Sequence, residues 1–194
     1  QLLPAPMRGV AEGIRATVIG ASQFTVQVSG NTISVPQAEL LPLRNVQVVF
    51  PRIPQGEAVS PDEMERAISG GFQRLDVEDG RQLVALAVSW NGTPSYTNLR
   101  DLAAGIVRGL RGSLEAGLPL ILVFTRDFAR SVGHVLREDM GVKSEVVCID
   151  NVDLQEFDYI DIGEVLEPAH VVPVVVKSLV FPDVQGPEAE ISER

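Results

Sequence analysis

The sequence predicts an α/β fold, a mostly parallel sheet with helices on both faces around a βαβαβ core, preceded by an N-terminal β-hairpin segment. Two observations carry this reading. From Arg81 onward, short apolar runs alternate with longer stretches of helical periodicity, which implies right-handed crossovers joining parallel strands. The runs themselves are nearly continuous in Val, Leu and Ile, as expected of strands covered on both faces.

The elements follow in order. Ile14 to Ala21 is helix or strand, undecided by so short an apolar run. Phe24 to Val28 and Thr32 to Val35 alternate around Ser29-Gly-Asn31, a hairpin signal because Gly and Asn tolerate positive φ. Pro36, Pro42, Pro51 and Pro54 punctuate a connection around a short strand, Val46 to Phe50. Ser60-Pro-Asp-Glu63 opens a helix, with Ser as N-cap, Pro in the first turn and two acids at the positive end of the dipole. That helix should stop near Leu75. Then come strand Gln82 to Trp90, helix Thr97 to Ala116 with Gly117 as its C-cap, strand Leu118 to Thr125, helix Asp127 to Met140 and strand Glu145 to Asp150. The long helix places Leu99, Leu102, Ala103, Ile106, Val107, Leu110 and Leu114 on one stripe and leaves Arg100, Arg108 and Arg111 outside it. An acidic, turn-rich segment follows Asp150. The last strand, Val171 to Phe181, carries Pro173, best tolerated at an edge or near the strand start.

Composition narrows the function. The net charge is −10, with 16 basic against 26 acidic residues, which disfavours binding to a nucleic-acid backbone. The longest apolar run, Val171 to Val176, is too short to span a bilayer, so no membrane partner is expected. A lone cysteine, Cys148, lies in the apolar run Val146-Val-Cys-Ile149, where a buried, inert thiol in a reducing cytoplasm is the natural reading. The chain opens on Gln without a basic-then-apolar leader and reads as part of a longer protein.

The carboxyl ends of parallel strands share one rim, where ligands usually sit. Here the rim should gather Asn91, Gly92 and Thr93, then Thr125, Arg126 and Asp127, then Asp150 and Asn151. The Arg126 guanidinium and the amides of the next helix could hold an oxyanion there. The plainer alternative is that Thr125 and Asp127 cap that helix while Asp150 and Asn151 close a turn. Asp150, Asp153, Asp158 and Asp161 lack the dense spacing of a metal loop, so no metal site is expected. Asp161-Ile-Gly163 reads as a turn before the final strand. His134 and His170 have no nucleophile or second ligand at a useful spacing. Trp90 reads as the last buried residue of its strand. No phosphate-binding loop, dinucleotide fingerprint, zinc-protease helix or nucleophile elbow occurs, and no catalytic residues are expected in this chain.

Two blocks of sequence carry a resemblance. One is Asp158-Tyr-Ile-Asp-Ile-Gly-Glu-Val-Leu-Glu-Pro-Ala-His-Val-Val-Pro-Val-Val-Val-Lys-Ser-Leu-Val-Phe181. The other is Ile14-Arg-Ala-Thr-Val-Ile-Gly-Ala21 with Val28-Ser-Gly-Asn-Thr-Ile33 and Leu41-Pro-Leu-Arg-Asn45. From about Ile14 to Phe181 the chain resembles the C-terminal part of the EutA family, the reactivating factors of ethanolamine ammonia-lyase. The middle, between Pro51 and Arg81, matches only in pattern. The resemblance implies a chaperone-like relative of the actin-like ATPases that exchanges damaged adenosylcobalamin for intact cofactor at the expense of ATP with Mg. It further implies a cytoplasmic protein associated with a bacterial microcompartment, with ethanolamine ammonia-lyase as partner and self-association as a further expectation. On this reading residues 1–44 end the ATPase core, with Gly20 and Ala21 nearest the nucleotide. Residues 45–181 form a C-terminal α/β domain and 182–194 a disordered tail. The family's phosphate loops and Gly-Gly adenosine motif are not found in this sequence, so no cofactor is expected in this part itself. A docking or stabilising role for the region and a small-molecule or anion site at the rim both stay open.

Overall fold

The structure, a computed structural model, describes residues 22–28, 40–169 and 171–179. In chain order its elements are β1 (Ser22–Val28), β2 (Leu43–Val49), α1 (Pro61–Leu75), β3 (Val84–Val88), α2 (Tyr96–Gly109), α3 (Arg111–Glu115), β4 (Leu120–Phe124), α4 (Ala129–His134), β5 (Val146–Ile149), β6 (Tyr159–Ile162) and β7 (Pro173–Leu179). A π-helical turn, Val135–Asp139, extends α4. All seven strands join one mixed sheet in the order β1-β7-β6-β2-β3-β4-β5. Strands β2 to β5 are mutually parallel, and β6 and β1 add on through antiparallel pairings. The α/β class and its parallel core are as the sequence predicts.

Strands β3, β4 and β5 of the parallel core are apolar throughout because both faces are covered. Val84, Leu86 and Val88 of β3 point into one cluster with Met64 and Ile68 of α1, Leu102 and Ile106 of α2, and Val132 and Leu136 from the α4 region. Ala85 and Ala87 point the other way, into a cluster with Ile121, Val123, Val147, Ile149, Ile160 and Val174 that Leu41, Val152, Leu154 and Val172 help to close. Among the described residues the helices contribute to the first cluster only. Strands β2, β3, β4 and β5 succeed one another across the sheet, so every right-handed crossover steps in the same direction and lands on the same face.

Local sequence accounts for most boundaries. Ser60 and Glu63 form a reciprocal capping box at the start of α1, and Asp76 ends that helix in the left-handed region at φ 53°. The expected single helix from Thr97 to Ala116 is instead divided at Leu110 into α2 and α3. The cause lies outside the helix. The Asp79 carboxylate accepts the amide hydrogens of Gly112 and Ser113, drawing them away from the carbonyls one turn back. Gly105 and Gly109 bring α2 against α1, since a Cβ on Gly105 would stand 2.4 Å from Met64 Cβ and one on Gly109 would stand 2.6 Å from Ile68 Cδ1. The helix expected from Asp127 starts at Ala129.

Three further expectations meet the structure differently. Phe24 to Val28 is indeed strand, and its described partner is β7, in register from Ser22 opposite Leu179 to Val28 opposite Pro173. Thr32 to Val35, like Gly20, Ala21, His170 and the tail, lies outside the described residues. A division near Arg44 would fall inside β2 and would leave β1 hydrogen-bonded to β7 across it. Pro173 stands at the first residue of β7.

Candidate functional site

The rim at the carboxyl ends of β3, β4 and β5 is assembled around Phe128. Trp90, buried beyond the end of β3, packs on the Phe128 ring at 5.6 Å between centroids and donates its indole N–H to Gly56 O at 3.1 Å. Gly92 is required beneath it, because a Cβ there would stand 2.1 Å from the indole. Arg126 lies with its guanidinium carbon 5.3 Å from the Phe128 ring centroid and donates through Nη1 to Asn91 O at 2.9 Å. The half-buried Thr125 donates its amide to Val88 O at 3.3 Å. Fully buried Asp150 accepts the amide hydrogens of Phe128 at 3.1 Å and Ala129 at 2.8 Å through Oδ1. The capping role that the sequence gives to Thr125 and Asp127 is therefore filled at these two amides by a carboxylate from the next strand. Its negative charge also matches the positive end of the α4 dipole.

The structure thus sets Arg126 and Asp150 against Phe128, links Asn91 to Arg126 and ties Thr125 to β3. Thr93 turns elsewhere. Its amide donates to the Glu57 carboxylate at 3.3 Å, and its carbonyl accepts from Ser95 N at 2.8 Å and Asn98 Nδ2 at 2.9 Å. The four aspartates of the acidic segment also go to separate tasks. Asp153 exchanges two hydrogen bonds with the Gln27 side chain on β1, at 3.0 and 3.1 Å. Asp158 accepts the Gln155 amide at 2.7 Å. Asp161 accepts from Lys177 Nζ at 2.6 Å and from the Asn45 amide at 2.7 Å. Burial raises the Asp161 pKa, but the lysine and amide bonds outweigh it and hold the carboxyl below its usual value. Asp161-Ile162 is therefore not a turn but the end of strand β6. Gly163 follows where a Cβ would meet the Pro173 ring at 2.7 Å.

Two hollows had no counterpart in the sequence reading. One, of about 480 Å³, lies between α2 and α4 and is lined by Pro94, Tyr96, Leu99, Arg130, His134 and Val135. The Tyr96 hydroxyl at its edge donates to Asp139 at 2.8 Å, which lifts the phenol above its ordinary pKa. The other, of about 360 Å³, lies between α1 and the segment after β2, where Arg52, Arg66 and Arg74 converge. Arg66, Gly70 and Arg74 share one face of α1 at four-residue spacing, a signal the sequence does contain. Arg52 belongs to a distant segment and could not be added from spacing alone.

The ethanolamine utilisation protein EutA family matches residues 2–182. The chain belongs to the EutA family. A protein of Salmonella typhimurium (strain LT2) described as ethanolamine ammonia-lyase reactivase EutA is 35% identical over 176 residues, covering 89% of this chain and 35% of the relative. The protein of the same description from Escherichia coli (strain K12) is 32% identical over 172 residues, with the same coverage. This EutA-family chain thus spans about a third of the length of these curated relatives. No solved structure matches it. No helix among the described residues is long and apolar enough to cross a membrane. The two EutA-family positions expected nearest a nucleotide, Gly20 and Ala21, lie outside the described residues.

Proposed function

We propose that the chain is the C-terminal part of a reactivating factor for ethanolamine ammonia-lyase, and that it supplies docking or stabilising surface to the ATP-dependent exchange of damaged adenosylcobalamin. One observation supports this reading over a ligand site at the rim. Two of the rim's charged groups are already engaged by neighbours, buried Asp150 by the Phe128 and Ala129 amides and exposed Arg126 by Asn91 O and the Phe128 ring. Meanwhile β1 turns Phe24, Val26 and Val28 outward at 62%, 67% and 58% exposure. A row of large apolar side chains at that exposure is suited to cover by another protein surface.

In this reading ATP and Mg are held by the remainder of the complete protein. The 194-residue chain alone should give no heat of binding with Mg-ATP in calorimetry, and a clear one-to-one isotherm would overturn the division of labour. The second reading, an anion site at the rim, draws on the exposed position of Arg126 beside Asn91. In the complete protein, Arg126→Ala should leave reactivation of ethanolamine ammonia-lyase unchanged if the region docks or stabilises. Loss of reactivation at an unchanged melting temperature would favour the rim. Replacing Val26 by Asp should weaken reactivation under the docking reading.

A further inference from the structure

The second hollow carries an inference independent of the reactivation reading: we infer that the cleft framed by Arg52, Arg66 and Arg74 binds a phosphate monoester. In a chain of net charge −10, three guanidinium groups meet within one concavity of about 360 Å³. Two of them are held in place from within. Arg74 donates through Nη2 to Phe50 O at 2.6 Å and through Nε to Glu156 Oε1, while Arg52 donates through Nη2 to Glu156 Oε2 at 3.0 Å. One carboxylate therefore bridges two guanidiniums and fixes their separation. Arg66 spends only its Nε, on Asp62 O at 3.1 Å.

All three guanidiniums keep donors to spare. Arg66 keeps both terminal nitrogens, Arg74 keeps Nη1 and Arg52 keeps Nε and Nη1 without an acceptor among the described residues. Gly70 sits between Arg66 and Arg74 on the same helical face, where a Cβ would stand 3.4 Å from Arg74 Nη1, so the floor is open where the guanidinium crosses it. Glu63, the acid in the wall, is engaged by the Ser60 amide at 2.9 Å and hydroxyl at 2.7 Å. Planar, permanently charged guanidiniums favour phosphate oxygens over chloride, because each presents paired donors. The hollow has room for a small organic group beside the phosphate, at the lower end of ligand-pocket volumes.

Titration of the full chain at low ionic strength, followed by phosphorus NMR and calorimetry, tests the assignment with glycerol phosphate and inorganic phosphate as probes. Saturable binding with a dissociation constant of about 1 mM or tighter is expected. Arg66→Gln should weaken it about tenfold at an unchanged melting temperature, and Arg66→Lys should restore part of the loss. Arg52→Gln, at a side chain 70% exposed, should act alike and decides the matter should the first variant unfold. Tighter binding of the ester identifies an organophosphate site, and equal binding of both probes a site for the phosphate group alone. Absence of saturation with either probe, or affinities unmoved by both Gln variants, overturns the proposal.

Discussion

Ile106 and Arg108 stand two positions apart on α2 and meet opposite environments. Ile106 has no exposed surface, while Arg108 reaches Asp62 at 2.5 Å with both side chains at least half exposed. Ile106→Asp would bury an unpaired charge and should cost about 4 kcal/mol or more, whereas Arg108→Ala should fall within about 0.5 kcal/mol of the parent. Thermal melts of the two variants check this, and coincident curves would mean the helix face is misassigned. Cys148 is as deeply buried as Ile106. Loss of solvation pushes its thiol up to about 12 despite the opposing effect of Arg137, so alkylating reagents should leave it unmodified until denaturant is added. These placements, with that of Trp90, were legible because the identity of an apolar side chain already favours burial. The role of Asp150 was not, since a carboxylate after a strand suits a turn, a ligand or a cap equally well. Its partners, Phe128 and Ala129, lie on another segment.

At the level of elements, the sequence marked what local chemistry controls. Ser60-Pro-Asp-Glu63 foretells the start of α1 because every group of the capping box lies within one turn. The break at Leu110 was hidden because the apolar stripe runs on through Leu114 while the acceptor that divides the helix, Asp79, comes from a loop before β3. Asp79 also accepts the Ser113 hydroxyl at 2.6 Å, so Asp79→Ala strips three hydrogen bonds and should destabilise by about 1–3 kcal/mol in urea titration. An unchanged midpoint would show that α3 caps itself. Strand β6 was missed for a related reason. Tyr159-Ile-Asp-Ile162 alternates over only four residues inside an acidic stretch, and its strand character comes from pairing with β2 and β7 on either side. The two hollows were beyond local reading altogether, as Arg52 meets Arg66 and Arg74 only once β2 and α1 are packed.

Across the whole molecule, two ion-paired carboxylates tie the antiparallel half of the sheet and its flanking segment to the rest. Glu156 is held below its ordinary pKa chiefly by its hydrogen bond to Arg74, against burial and with help from Arg52, and Asp161 is lowered by Lys177 and the Asn45 amide. Both folded values lie below the unfolded ones, so the stabilisation is fully present above about pH 4.5 and is lost as the pH falls through the depressed values. Urea midpoints should therefore drop between pH 6 and about pH 3, and Glu156→Gln should shrink that drop. An equal drop in the variant would place the acid-labile groups elsewhere. Fold class was legible at this scale because alternating apolar strands and helices leave few arrangements, whereas the pairing of β1 with β7 joins segments from opposite ends of the described chain. That pairing has a consequence for biosynthesis. Seven residues of β1 leave the ribosome well before β7 and wait, with Phe24, Val26 and Val28 displayed, until β7 has been translated. Among the described strands, β1 is thus one of the last to acquire its hydrogen bonds, and in a stalled or truncated chain it is left open to pairing with a stranger.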